Sequence, residues 1–195
     1  MQKNNPLKIQ IILGSTRQNR FGDKPAKWIT ELASKNGEIK VELLDLRDYP
    51  LPFFNEKTSV AYLGGKYSAM GGAEWAKKVA EADAYILVTP EYNHGPSAVL
   101  KNSLDYAYAE WNKKPVAFVA YGSAGGARAV EQLRLSAVEF QMAPIRNAVH
   151  IFNPWELVDD KGDLKPGVLD AYNDRAKAML EELIWWGKAL KEARA

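Results

Sequence analysis

Two hydroxyls and two guanidinium groups crowd into one short stretch, Gly14-Ser-Thr-Arg-Gln-Asn-Arg20, behind the apolar run LKIQIIL and ahead of FGDKPAKWI. A loop between a strand and a helix that gathers such groups suits a phosphate. Backbone N–H groups at a helix start lack partners and the helix dipole is positive there. Ser15 and Thr16 add hydroxyl donors, and Arg17 and Arg20 add charge-assisted or forked bonds. Asp23 or Lys24 with Pro25 marks the helix start, because proline in the first turn gives up no needed donor. The loop lacks the spacing of a P-loop and of a dinucleotide fingerprint, since the next glycine after Gly14 is Gly22. A polar turn with solvated arginines is the alternative for this loop taken alone.

Two more stretches have the same character. In PEYNHGPS, Pro90 fixes a turn, and Glu91, Tyr92, Asn93 and Gly95 tolerate tight backbone geometry and expose amide groups. Such a backbone can lie along the polar edge of a flat heteroaromatic ring, with Tyr92 over part of the ring face. A plain strand-to-helix turn with Ser97 as helix cap reads equally well. YGSAGGAR is glycine-rich without lysine, which suggests close backbone approach to something bulky around Gly122 and Ser123. Together the three loops describe a pocket with a phosphate end and a planar polar end, the shape of a flavin mononucleotide.

These loops must be brought to one rim. Apolar runs near Leu7 to Leu13, Ile39 to Leu46, Ala84 to Thr89, Val116 to Tyr121 and Ile145 to Ile151 alternate with segments of helical period, the pattern of an α/β domain with a parallel sheet. Leu100, Leu104, Ala107 and Trp111 share one helical face, as do Val130, Leu133, Ala137 and Phe140. The last helix carries a stripe of Tyr172, Ala176, Met179, Leu183, Trp186 and Leu190, with Trp185 opposite. AYILV and VAFVAY are continuously apolar and so covered on both faces; EIKVELLDL and PIRNAVHI alternate, as edge strands can. That predicts the flavodoxin-like order 2-1-3-4-5, a doubly wound five-stranded sheet with helices on both faces. Ligands then bind beyond the carboxyl ends of strands one, three and four, where the three loops lie. Long irregular stretches follow strand two and precede the last helix, and loops of that length are often functional.

Composition excludes much else. A chain of 195 residues fits one domain, 1–195, and needs no staple. Without cysteine there is no disulfide, thiolate metal site or cysteine nucleophile, which suits a reducing, cytoplasmic setting. No run has the length of a signal peptide core or membrane span. A net charge of +2 with interleaved signs advertises no nucleic acid. His94 and His150 lack the neighbours of a metal site, and Ser123 is not in a Gly-x-Ser-x-Gly elbow. No metal ligand and no catalytic side chain is nominated.

With these residues in hand, the chain resembles the NADPH-dependent FMN reductase family, the flavodoxin-like group that includes quinone, azo-dye and chromate reductases. GSTRQNR looks like its phosphate loop, PEYNHGPSAVLKNSLDY its most specific signature and YGSAGGARAVEQLR its third flavin loop. The resemblance implies that Ser15, Arg17 and Arg20 hold the FMN phosphate. Pro90, Glu91, Tyr92 and Asn93 would line the ribityl chain and ring, and Gly122 and Ser123 would flank the ring. Relatives often carry a small hydroxyl residue at the place of Arg20, which would instead close over the phosphate or face the nicotinamide. The implied activity passes hydride from NADPH or NADH through FMN to a quinone, azo compound, free flavin or similar small acceptor, in a homodimer or homotetramer. The apolar YPLPFF segment, Tyr49 to Phe54, would cover the site or pack on a second subunit. A flavodoxin-type electron carrier is the alternative, although carriers of that type are usually strongly acidic.

Overall fold

Five parallel strands, β1 (Leu7–Leu13), β2 (Ile39–Asp45), β3 (Ala84–Pro90), β4 (Pro115–Gly122) and β5 (Ala143–Phe152), form one sheet in the order β2-β1-β3-β4-β5. This is the flavodoxin-like arrangement. The computed structural model describes residues 6–64 and 66–195. Strand texture explains the order: every residue of β3 is buried, whereas the outer strands β2 and β5 mix buried with exposed positions. Between Val116 and Phe118 the β4–β5 register slips, so β5 bulges at its amino end and runs regularly toward the carboxyl rim.

The helices are α1 (Asp23–Ser34), α2 (Gly72–Ala80), α3 (Ala98–Asp105), α4 (Ala127–Glu139) and α5 (Asn173–Arg194). One face of the sheet packs Ile9, Ile11, Ile86 and Val119 against Ile29 and Ala33 of α1 and Met179 and Leu183 of α5. The other packs Ile12, Leu87 and Phe118 against α2, α3 and α4 through Trp75, Leu100, Leu104, Val130 and Leu133. Beneath α2, Tyr85 and Trp111 meet edge-to-face at 4.8 Å, a geometry worth roughly 0.5–1.5 kcal/mol beyond the area it buries.

Two helical readings need correction. The α3 helix stops at Asp105, so Ala107 and Trp111 are buried in the turn behind it and not on its face. The Trp111 indole N–H donates to the Leu104 carbonyl at 3.1 Å, satisfying one of the acceptors that the helix end leaves free. On α5 the buried line runs through Ala176, Met179, Leu180, Leu183, Ile184 and Gly187, leaving Trp186 exposed beside Trp185. The helix comes so near β1 at Gly187 that a Cβ there would lie 2.6 Å from Leu7 Cδ2, and this contact turns Trp186 aside.

The long stretch after β2 is pinned by side chains. Asn102 of α3 accepts from the Phe54 N–H at 2.8 Å and donates to the Pro52 carbonyl at 2.9 Å. The Glu56 carboxylate closes the loop by accepting from the N–H groups of Ser68 and Ala69; Gly65, inside it, lies outside the described residues. Among the described residues no helix is long and apolar enough to cross a membrane.

At the opposite end of the sheet from the three loops, Lys114 is buried, donating to the Ala80 carbonyl at 3.0 Å and the Tyr85 hydroxyl at 3.1 Å. Burial, helped by Arg194, pulls its pKa down to about 8. Between that value and the ordinary lysine value of about 10.4, the unfolded chain binds a proton that the folded chain does not, so stability rises with pH there. Denaturant melts should show wild type gaining on the order of 2 kcal/mol on Lys114→Met between pH 7 and 10. A stability difference that stays flat over this range would refute it.

Candidate functional site

The first loop begins where β1 stops pairing. Gly14 N donates to the Val88 carbonyl at 2.8 Å, and a Cβ at Gly14 would strike Leu100 Cδ2 at 2.8 Å, so only glycine fits. From Thr16 to Asn19 the backbone N–H groups carry no hydrogen bond among the described residues. The α1 helix follows with Gly22 as its cap and no side chain bonded to its first turn, so its dipole faces the same loop, with the Gly22 and Asp23 N–H groups unbonded among the described residues.

Arg20 holds this arrangement. Its Nε and Nη2 donate to Asp23 Oδ1 at 2.8 and 2.6 Å, Nη1 donates to Asp45 Oδ1 at 2.8 Å, and further bonds reach Asp45 Oδ2 and the Ser15 carbonyl. Every N–H of the guanidinium is thereby taken. Burial pushes the Arg20 pKa down and the Asp45 pKa up, but the hydrogen bonds between them outweigh it. The guanidinium ends above its ordinary value and the carboxylate below. Arg20 thus ties together the loop, the start of α1 and the end of β2. It has no donor free for a phosphate, which corrects the direct contact expected of it. Arg17, by contrast, is exposed, with its guanidinium 5.8 Å from the centre of the Tyr92 ring. Neither Arg17 nor Lys24 has a carboxylate within ion-pair distance among the described residues.

The second and third loops are joined by Glu91. Its carboxylate accepts from the Arg128 and Ala129 N–H groups at 3.0 and 3.4 Å and pairs with the Arg128 side chain at 2.6 Å. Desolvation would raise its pKa, but Arg128 and these N–H groups hold it below the usual carboxylate value. The Glu91 side chain therefore caps α4, and its backbone lines the site. Gly125 and Gly126, both at positive φ, serve the chain's own packing: a Cβ at Gly126 would lie 2.6 Å from Ala120 Cβ. Asn93 and His94, with φ of 49° and 70°, form the tight turn closed by Tyr92 and Gly95. Ser97 caps α3, accepting from the Leu100 N–H at 3.2 Å, as the turn reading of this loop expected.

These loops surround a cavity of about 590 Å³ lined by Arg17, Arg20, Pro90, Glu91, Tyr92, Gly122 and Ser123, all expected from sequence. Ser15 and Asn93 do not line it. Ser15 is buried with its hydroxyl bonded to that of Tyr92 at 3.1 Å, and Asn93 points outward on the turn. Asn19, Phe21, Lys24 and Tyr121 complete the inner wall, and Pro154, Trp155, Val158 and Gly162 supply an outer wall from the long stretch before the last helix, which its length had marked but whose residues were not nominated. The outer wall is a self-contained loop, closed by a bridge between Val158 and Leu164 and by Asp159 N donating to the Asp163 carbonyl at 2.9 Å. Its signal was its length and its place after β5, next to the β4 loop. The YPLPFF segment does not cover this cavity. Tyr49, Leu51 and Phe54 pack on the core under α3, and Phe53 borders a separate hollow with Thr16, Arg17 and Tyr92.

A loop with open amides beside a cavity at the point of strand reversal is the arrangement of a flavodoxin-like protein. The chain belongs to the NADPH-dependent FMN reductase family, whose profile matches residues 7–156, and it is an oxidoreductase using FMN and NAD(P)H. It is 36% identical over 144 residues to an NAD(P)H-dependent FMN reductase of Schizosaccharomyces pombe, covering 73% of this chain and 72% of that one. To a quinone reductase of Pseudomonas putida it is 26% identical over 184 residues, 90% of each. The flavoenzyme NAD(P)H:(acceptor) oxidoreductase FerB of Paracoccus denitrificans shares the fold, with a TM-score of 0.69 at 21% identity over 91% of this chain and 97% of that one. The lining fits FMN: it includes Arg17 and Asn19, whose N–H groups are open, and the cation of Lys24, with backbone and aromatic surfaces beside them, and the size is that of an ordinary ligand pocket.

If Arg20 is the brace of the loop, Arg20→Ala should cost about 2 kcal/mol at pH 7 by leaving Asp23 and Asp45 unpaired. Because Arg20 depresses the Asp45 pKa, its stabilisation is present above the ordinary aspartate range and is lost as pH falls through the folded value. Urea melts at pH 7 and pH 3.5 should show the gap between the two proteins closing in acid; a gap that widened would contradict the role.

Proposed function

We propose that the chain is a single FMN-binding domain, 1–195, that draws hydride from NAD(P)H and delivers electrons to a small planar acceptor of the quinone class. The observation that supports this most is the makeup of the cavity. Cations and open amides gather at one end, Phe21, Tyr92 and Trp155 offer flat apolar surface, and Glu91, the only carboxylate of the lining among the described residues, is committed to α4. A pocket so built is suited to positioning and less to acid–base work at a substrate. The quinone reductase of Pseudomonas putida, alike over 90% of both chains, supports the acceptor class.

FMN, when bound, supplies the redox chemistry, taking hydride from the reduced nicotinamide and giving electrons to the acceptor. The residues of this chain orient and tune it. Open amides from Thr16 onward and Arg17 hold the phosphate, and Ser15 fixes the loop through Tyr92. Backbone groups of Pro90, Glu91 and Tyr92 border the ribityl chain and ring, and Gly122 and Ser123 flank the ring from the third loop, while Asn93 shapes the turn behind them. Phe53, Tyr62 and Met70, all strongly exposed on the stretch after β2, support self-association as a homodimer or homotetramer. Light scattering that gave the 21.8 kDa mass of one chain would exclude that.

The decisive experiment is a fluorescence titration with FMN, followed by NADPH oxidation with benzoquinone as acceptor. Wild type should bind FMN and turn over, and Arg17→Ala should weaken FMN by about tenfold, the worth of one charge-assisted bond. A protein without FMN affinity overturns the reading, and FMN binding without quinone turnover overturns the acceptor class.

A further inference from the structure

Tyr121 is a buried group that the reading above leaves without work. It stands at the carboxyl end of β4 and lines the cavity, yet it is only 6% exposed and its hydroxyl has no hydrogen-bond partner among the described residues. A buried hydroxyl left unpaired costs about 1–3 kcal/mol, and at a native site it calls for a partner. The Ser15 hydroxyl lies close enough to lower the Tyr121 pKa slightly, but its hydrogen bond is with Tyr92.

The direction of the hydroxyl is informative. The ring packs on Phe21 at 5.2 Å between centroids, and the hydroxyl lies 2.6 Å from where a Cβ on Gly22 would begin. Gly22 is the cap of α1, and no side chain is bonded to that helix's first turn. The phenol from β4 and the start of α1, where the Gly22 and Asp23 N–H groups have no partner among the described residues, therefore converge from two elements. Lys24, half-buried in the first turn and without a carboxylate partner, adds positive charge. Asp23 carries the opposite sign, and Arg20, which is shared between Asp23 and Asp45, offsets only part of that charge. Burial, with Tyr92 nearby, pushes the Tyr121 pKa well above the tyrosine value, so the phenol keeps its proton and remains a donor.

We propose that the Tyr121 hydroxyl donates a hydrogen bond to the phosphate of FMN and, with Lys24, fixes that phosphate over the N-terminus of α1. This rests on the FMN reading and moves the second anchor of the phosphate from Arg20 to Tyr121. Gly22 belongs to this close packing, since a Cβ there would meet the Tyr121 hydroxyl at 2.6 Å and Leu13 Cδ1 at 2.9 Å.

Riboflavin, which has the ring and the ribityl chain without the phosphate, makes the test selective. Fluorescence titrations of Tyr121→Phe should show FMN binding about tenfold weaker and riboflavin binding unchanged. An unchanged FMN affinity, or an equal loss for both ligands, overturns the proposal. Wild type that binds neither ligand would sink the FMN reading itself, a separate result. Should Tyr121→Phe fail to fold, Lys24→Gln carries the same comparison from a half-exposed position: FMN should weaken, more so at low salt, and riboflavin should not. Equal affinity of Lys24→Gln and wild type for FMN would place the phosphate elsewhere and overturn the proposal.

Discussion

A site that grips an anion through backbone N–H groups must keep those groups unpaired, so the loop cannot be held by the hydrogen bonds that ordinarily hold loops. Here the holding is done from outside. The Arg20 guanidinium reaches the Ser15 carbonyl, Asp23 and Asp45, and fixes the loop by its carbonyl side and its two neighbouring elements. The amides from Thr16 to Asn19 stay open as a result. Nearly all of that guanidinium is out of water, where its bonds are strong and the loss of one partner is costly.

The same division recurs at the other end of the cavity. Glu91 was a candidate for contact with a ligand, but its side chain is turned to α4 and only its backbone faces inward. The ion pair with Arg128 sets the spacing of the second and third loops, as Arg20 sets the shape of the first. Side chains that look reactive in the sequence serve as supports, and what they leave open along the cavity is backbone, aromatic faces, and Arg17 and Lys24, unpaired among the described residues.

Sheet order was legible because burial on one or two faces leaves a direct mark on strand composition, as AYILV and PIRNAVHI show. The loops of the site were legible for a related reason: residues that tolerate tight turns and bind anions gather only where the fold permits. What could not be read was pairing across elements. Arg17 and Arg20 are identical in kind and three apart, and only Asp45, at the end of another strand, makes one a brace and leaves the other free. Tyr121 was hidden as the last apolar residue of a buried strand, and Trp186 was misplaced because Gly187, not a large residue, carries the helix contact with β1. The outer wall escaped because its lining of Pro154, Trp155, Val158 and Gly162 has no charge or motif to mark it.

That outer wall has a consequence for how such a protein can change. It hangs from β5, an edge strand, is closed by its own bridge, and shares no ion pair with Arg20 or Glu91. Insertions and substitutions there can reshape one side of the cavity while the inner wall stays as it is.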